Sequence, residues 1–131
     1  MLAKKKKNYE EIHRTRIDSL IGENTIIEGH INFEGKMHVV GTIIGNINSE
    51  SKDSLLILSE GALIVGDVTV NHLIVNGQID GSVYVDGKVE LFDKARINGD
   101  VHYSLLELPV GAEVNGKLLR QDEKITTDQK G

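Results

Sequence analysis

The sequence predicts an all-β, single-domain chain folded as a parallel β-helix of about six three-sided coils, on three observations. The first is a period of two. From Ile27 to Ile47 every odd-numbered residue is aliphatic, aromatic, Met or Gly, while the even positions between are mostly polar. The second is length: a flat strand over that run would extend about 70 Å, against typical strands of about five to six residues. The chain must therefore bend repeatedly without losing phase, and its glycines supply the corners. The third is a longer repeat, apolar-x-Gly-x-apolar, present in six copies whose central glycines lie 16, 21, 15, 18 and 17 residues apart. That spacing fits coils of three short strands stacked along an axis.

Taken in order, the first two copies are Ile27/Gly29/Ile31 and Ile43/Gly45/Ile47. The long interval follows, and it holds Ser49-Glu50-Ser51-Lys52-Asp53-Ser54, a polar stretch predicted to be a surface loop. Across it the apolar phase moves to even numbers, where the third copy stands at Ile64/Gly66/Val68, and it returns to odd numbers near His72. The fourth and fifth copies are Ile79/Gly81/Val83 and Ile97/Gly99/Val101, and between Leu73 and Leu105 only Asp93 breaks the odd phase. Asp93 is placed in a turn, Phe92-Asp93-Lys94. The last copy is Val114/Gly116/Leu118. Asn98-Gly99 is a strong hairpin signal in isolation, but a two-residue hairpin would send Val101 to the face opposite Ile97, and the pattern keeps both in one phase. The same test rejects hairpins at Asp80-Gly81 and Asn115-Gly116.

Composition sets independent limits. The chain's 131 residues make one domain, whose core must be aliphatic because aromatic residues are only 4% of the chain. There is no cysteine, so disulfides and thiolate metal sites are excluded. No apolar run approaches the roughly 20 residues of a spanning helix, and Met1-Leu2-Ala3 is not a secretory signal, so the expected location is cytoplasmic. Charge is divided unevenly: residues 1–16 carry six basic and two acidic side chains, residues 17–116 five basic and fifteen acidic, and residues 117–131 four basic and three acidic. An acidic body does not suit phosphate contacts, and no nucleic acid is expected as a partner.

Two segments, Ile17-Asp18-Ser19-Leu20-Ile21-Gly22-Glu23-Asn24-Thr25 and Gly41-Thr42-Ile43-Ile44-Gly45-Asn46-Ile47, together with the repeat spacing and the short polar tails, resemble the bactofilin family. The resemblance covers residues 17–119. It implies a right-handed parallel β-helix domain at 17–119 between a basic, disordered arm at 1–16 and a polar tail at 120–131. It also implies a bacterial cytoskeletal protein that polymerises without nucleotide, with cell-wall or morphogenesis proteins as clients.

The physics of the fold points the same way. The strands of a β-helix hydrogen-bond along its axis, so each end coil leaves a row of unpaired backbone groups and an open aliphatic core. Solenoids kept monomeric cover such ends with polar caps. The segment after Leu119 is too polar and too short to cover a core, whereas Tyr9, Ile12, Ile17, Leu20 and Ile21 have spacings loosely compatible with a capping helix at the other end. With both ends open, end-to-end stacking gives a homopolymer, and the resemblance implies head-to-head and tail-to-tail joints without polarity. Phe33 and Met37 are the candidates for the N-terminal contact. Leu106, Leu108, Val110, Val114 and Leu118 are the candidates for the C-terminal one, and ordinary interior packing is the alternative for all seven.

The N-terminal arm begins with two bulky apolar residues and four lysines, so Met1, Leu2, Lys4, Lys5, Lys6 and Lys7 form a candidate membrane-binding segment. Burying two such side chains gives a few kcal/mol, and each lysine near an anionic leaflet adds about 1 kcal/mol. One arm binds weakly. Many arms on a polymer would bind roughly two to four orders of magnitude better, placing the protein at the cytoplasmic face of the cell membrane.

An enzyme is not expected, nor is a cofactor. The glycine intervals do not divide by six, as a left-handed hexapeptide-repeat acyltransferase would require. His30, His38 and His102 fall on outward phases, His72 at the phase change and His13 in the arm, with no i, i+4 ligand pair. Asp80, Asp86, Glu90 and Asp100 also face outward, as a solvated surface rather than a paired acid and base. No phosphate-binding Gly-Lys-Ser/Thr loop is present. The competing function is a non-polymerising recruitment platform that acts as a monomer or dimer.

Overall fold

The computed structural model describes residues 16–121, which form a parallel β-solenoid of six coils with three short strands in each. The first coil has β1 (Ser19–Ile21), β2 (Ile26–Glu28) and β3 (Ile31–Asn32). The second has β4 (Lys36–Val39), β5 (Thr42–Ile44) and β6 (Ile47–Asn48), and the third β7 (Leu55–Leu58), β8 (Leu63–Val65) and β9 (Val68–Val70). The fourth has β10 (His72–Val75), β11 (Gln78–Asp80) and β12 (Val83–Val85). The fifth has β13 (Lys88–Leu91), β14 (Arg96–Asn98) and β15 (Val101–Tyr103). The sixth has β16 (Leu105–Glu107), β17 (Glu113–Val114) and β18 (Leu118–Arg120). Every third strand joins the same sheet, giving three six-stranded sheets in which all pairs are parallel. No hairpin occurs among the described residues, as the phase argument predicts.

Register follows the sequence motif. Ile27, Ile43, Ile64, Ile79, Ile97 and Val114 stack in one column of the second sheet. Ile31, Ile47, Val68, Val83, Val101 and Leu118 stack in the third. The first sheet contributes columns through Met37, Leu56, Leu73, Val89 and Leu106, and through Ile21, Val39, Leu58, Val75 and Leu91. Like side chains repeat at the strand spacing and close-pack along the axis, so the core is a bundle of aliphatic columns. Removing one fully buried member, as in Ile64→Ala, costs about 2–5 kcal/mol.

The motif glycines line the corner between the second and third sheets, where successive backbones come closest. A Cβ at Gly45 would run into the Gly29 carbonyl oxygen, and one at Gly66 into that of Gly45. Both residues also hold φ at 152°, which side chains disfavour. The corner between the first and second sheets varies in length. It is a hydrogen-bonded turn at Gly22–Thr25, Ser59–Ala62, Phe92–Ala95 and Pro109–Ala112, but only Val40-Gly41 or Asn76-Gly77 in the second and fourth coils. Asp93 lies in the third of these turns and is exposed, so its break in the phase is a surface feature.

Two expectations change. The Ser49–Ser54 stretch is a surface loop only in its middle, because Ser49 and Ser54 are buried, at 5% and 0% exposure. The buried Ser54 Oγ donates to the Ser51 carbonyl at 2.9 Å and accepts from the Asn71 amide at 3.0 Å, which satisfies its polarity in place. The helical cap is also absent over the described part of its span. Ile17 lies just before β1, and within β1 Leu20 faces outward while Ile21 points toward the core. Tyr9 and Ile12 lie outside the described residues.

Candidate polymer interfaces at the solenoid ends

The two ends differ from the middle in one measurable way. Val39, Ile43 and Ile47 of the second coil are 0–1% exposed, whereas Ile21, Ile27 and Ile31, their register partners in the first coil, are half-buried. At the other end Val101 is 0% exposed and its partner Leu118 is 43% exposed. Among the described residues the same columns thus lose cover at both ends.

The candidate residues divide accordingly. Phe33 is half-buried at the corner that closes the first coil and packs on the core. Met37 is 1% exposed in the second coil, in register with Ser19 of β1, and belongs to the interior rather than the N-terminal contact. Leu106 and Val114 are half-buried members of the last coil's columns. Leu108 is 48% exposed and Val110 95%, the latter within the Pro109–Ala112 turn of the last coil. Met1, Leu2, Lys4, Lys5, Lys6 and Lys7 lie outside the described residues, as does His13.

Sequence reasoning missed the rims of the ends. Leu20 and Ile26 face outward from the first coil at 64% and 66% exposure. The signal was present as the doublets Leu20-Ile21 and Ile26-Ile27, in which the outward phase is apolar too. The rim of the last coil is mixed, with Leu105 at 61% exposure beside charged residues. There Lys88 Nζ lies 2.9 Å from Glu107 Oε2, and Arg96 Nε lies 3.2 Å from Glu113 Oε1, each pair tying the fifth coil to the sixth. The Glu107 hydrogen bond raises the pKa of Lys88 above its ordinary value, against an opposing effect of desolvation. Further in, the Asp80 carboxylate accepts from Gln78 at 2.9 Å and from Asn98 at 2.7 Å, which hold its pKa below the ordinary carboxylate value.

A second polar column runs along the glycine corner, one residue beyond each motif glycine. The Asn46 amide donates to His30 Nδ1 at 3.1 Å, the Asp67 amide to Asn46 Oδ1 at 2.9 Å, and the Ser82 amide to Asp67 Oδ1 at 3.0 Å. It continues from the Asp100 amide to Ser82 Oγ at 3.1 Å and from the Lys117 amide to Asp100 Oδ1 at 2.9 Å. Each coil's side chain therefore caps the backbone of the next. The motif's second variable position is an acceptor position, filled by His, Asn, Asp, Ser and Asp until Lys117 ends the series.

Among the described residues the histidines make separate contacts. His102 stacks on Tyr84 with ring centroids 4.5 Å apart, and His72 Nδ1 accepts from the Lys88 amide at 3.3 Å. Among the described residues no cluster of three or more His, Asp or Glu is arranged to hold a metal ion.

Comparison with known proteins agrees with this architecture. The family model Bactofilin, described as polymer-forming cytoskeletal, matches residues 19–119. Bactofilin BacO of Myxococcus xanthus (strain DK1622) is 26% identical over 101 residues, covering 77% of this chain and 78% of the relative. No solved structure gives a significant match.

Proposed function

The chain belongs to the bactofilin family of polymer-forming cytoskeletal proteins, and from that premise we propose that it assembles without nucleotide into non-polar filaments by stacking solenoid ends. The observation that carries this reading is the loss of cover along the core columns, which among the described residues are buried through the middle coils and half-buried or exposed in the first and last. Joining two such ends buries aliphatic surface worth about 25 cal/mol per Å² and pairs idle backbone groups at the same time. No bond in that process needs a nucleotide. With head-to-head and tail-to-tail joints, six coils of about 4.8 Å make a subunit of about 29 Å and an axial repeat of about 58 Å.

The same reading gives the arm its role. Lysines 4–7 with Met1 and Leu2 bring many weak contacts to an anionic membrane surface once they are displayed along one filament, so that membrane binding reports assembly. A filament held at the cytoplasmic face of the membrane would scaffold cell-wall or morphogenesis proteins.

Negative-stain electron microscopy of the full-length protein with no nucleotide tests the reading. Unbranched filaments are expected, and uniform particles of one or two subunits would overturn it in favour of a recruitment platform. Co-sedimentation with anionic liposomes tests the arm. Removing residues 1–7 should leave the filaments in the supernatant, and unchanged pelleting would remove the arm from the account.

A further inference from the structure

Stacking two solenoid ends leaves open which end meets which. Extending one subunit by the first coil of another, head to tail, would continue the core columns of the second and third sheets and the glycine corner, because Gly29 would fall above Gly116 as Gly116 now falls above Gly99. In the first sheet the incoming Ser19 would fall above Leu106, one polar contact in an otherwise aliphatic interior. Discrimination beyond that contact must reside in the rims.

We infer that Lys117 is the specificity-determining residue of the tail end, and that it refuses a head-to-tail joint by ending the acceptor column along the glycine corner. This rests on the filament reading above. In the column each amide is capped by the side chain of the coil before it, through five consecutive hydrogen bonds of 2.9–3.1 Å. In a head-to-tail joint the amide next in line is that of His30 in the incoming copy, and the group that must receive it is Lys117. An ammonium has three donors and no acceptor. It cannot cap the incoming amide, and it places a cation against the positive end of that N–H dipole.

Two of the outward columns add to this. Extending the outward columns head to tail sets the incoming Leu20 beside Glu107 and the incoming Ile26 beside Glu113. Both carboxylates already pair with Lys88 and Arg96 below them. At these two positions an apolar side chain would be laid on a charged one, whereas in the outward column of the third sheet the incoming Asn32 would meet Leu119. The tail accordingly discriminates by what it lacks, at the one position of the column where an acceptor is missing.

The chain contains no cysteine, which makes a direct test available. Asn32 and Leu119 stand in the same outward column of the third sheet, at its first and last coils. A head-to-tail joint would bring them within about 5 Å between Cα atoms, inside disulfide range. Two full-length chains of different tagged mass, one Asn32→Cys and one Leu119→Cys, are mixed, assembled and oxidised, and the mixed disulfide is quantified. With Lys117 in place the mixed product should be scarce. Adding Lys117→Asn or Lys117→Ser to the Leu119→Cys chain, two residues that already serve this column elsewhere, should raise it about tenfold, the ratio that roughly one hydrogen bond supplies. Lys117→Met, which removes the charge without adding an acceptor, should raise it far less. An abundant mixed product with native Lys117, no rise with either acceptor, or an equal rise with Met overturns the inference. A cysteine-free parent that forms no filaments by electron microscopy sinks the filament reading itself, which separates the two failures.

Discussion

The first and last coils are built on the same columns yet finish them differently. Inside, Ile27 and Val114 are members of one stack, and Ile31 and Leu118 of another, so in the second and third sheets the cores of the two ends are alike in chemistry. Outside, the first coil turns Leu20 and Ile26 to the solvent, while the last carries Glu107 and Glu113 in ion pairs and Lys117 at the corner. The difference teaches that a repeat protein can place its driving force for assembly in the repeated interior and its choice of partner in the unrepeated rim. Burial of aliphatic surface is non-directional, whereas hydrogen bonds and charges are not.

The largest effect should come from placing a charge within one open column at a time. Val114→Arg puts a guanidinium into the tail core, and Phe33→Arg does the same at the head. Each side chain is only half-buried in the free subunit, so folding should survive, with the far-UV β signal unchanged. A joined end would bury the charge unpaired, at a cost of several kcal/mol. Either variant should abolish filaments and stop at dimers held by the intact end, and light scattering would give their mass. Filaments persisting in one variant would show that its end is not a joint. Loss of the β signal would return that residue to interior packing.

A change in the middle should do the reverse. Ile64 is 0% exposed, and Ile64→Ala should lower unfolding stability by about 2–5 kcal/mol while leaving both ends able to join. Ile27→Ala, in the same column but half-buried at the head, should cost about half as much in the unassembled protein. Urea unfolding of the pair at concentrations too low for assembly measures the contrast. Equal losses would mean that the first coil is as well covered as the third, contrary to the open-end geometry.

The interior of this fold was legible and its boundary was not, for physical reasons. Period-two phasing reports which side of the backbone faces the core, and the six motif copies fall into register in the columns they implied. The same phasing is silent on how many coils precede a given residue. Met37 shares its phase with every other inward residue, so phasing alone does not show that β1 lies upstream at Ser19–Ile21 and covers it. Ser49 and Ser54 broke the polarity rule because hydrogen bonds within the loop and to Asn71 satisfy an inward hydroxyl. The acceptor column was hidden by its own chemistry: His, Asn, Asp and Ser are polar like most outward positions, and the lone pair they share is not visible as a repeated residue type, so the motif left that position variable.

The smallest effect concerns how firmly the tail coil is fastened to the body. Lys88 in β13 reaches Glu107 in β16 at 2.9 Å, and the pair is exposed to solvent. Its contribution is therefore slight and screened by salt. The sign is nevertheless fixed. Lys88 has a folded pKa raised above 10.5, so the stabilisation is fully present below that unfolded value and fades as pH rises through the folded one. Asp80 in β11 behaves oppositely, with a folded pKa below 3.8, and its contribution is present above 3.8 and fades as pH falls through the lowered value. Alkali should thus loosen the tail coil first, and acid the middle of the second sheet. Amide exchange at Leu105–Glu107 should speed up slightly in Lys88→Met at neutral pH, with Ile26–Glu28 at the head unaffected, and 0.5 M salt should shrink the difference, because at that strength the Debye length falls to roughly 4 Å. If exchange at the head speeds up as well, the rims are not independent, and the idea that each end is governed by its own last coil would have to be given up.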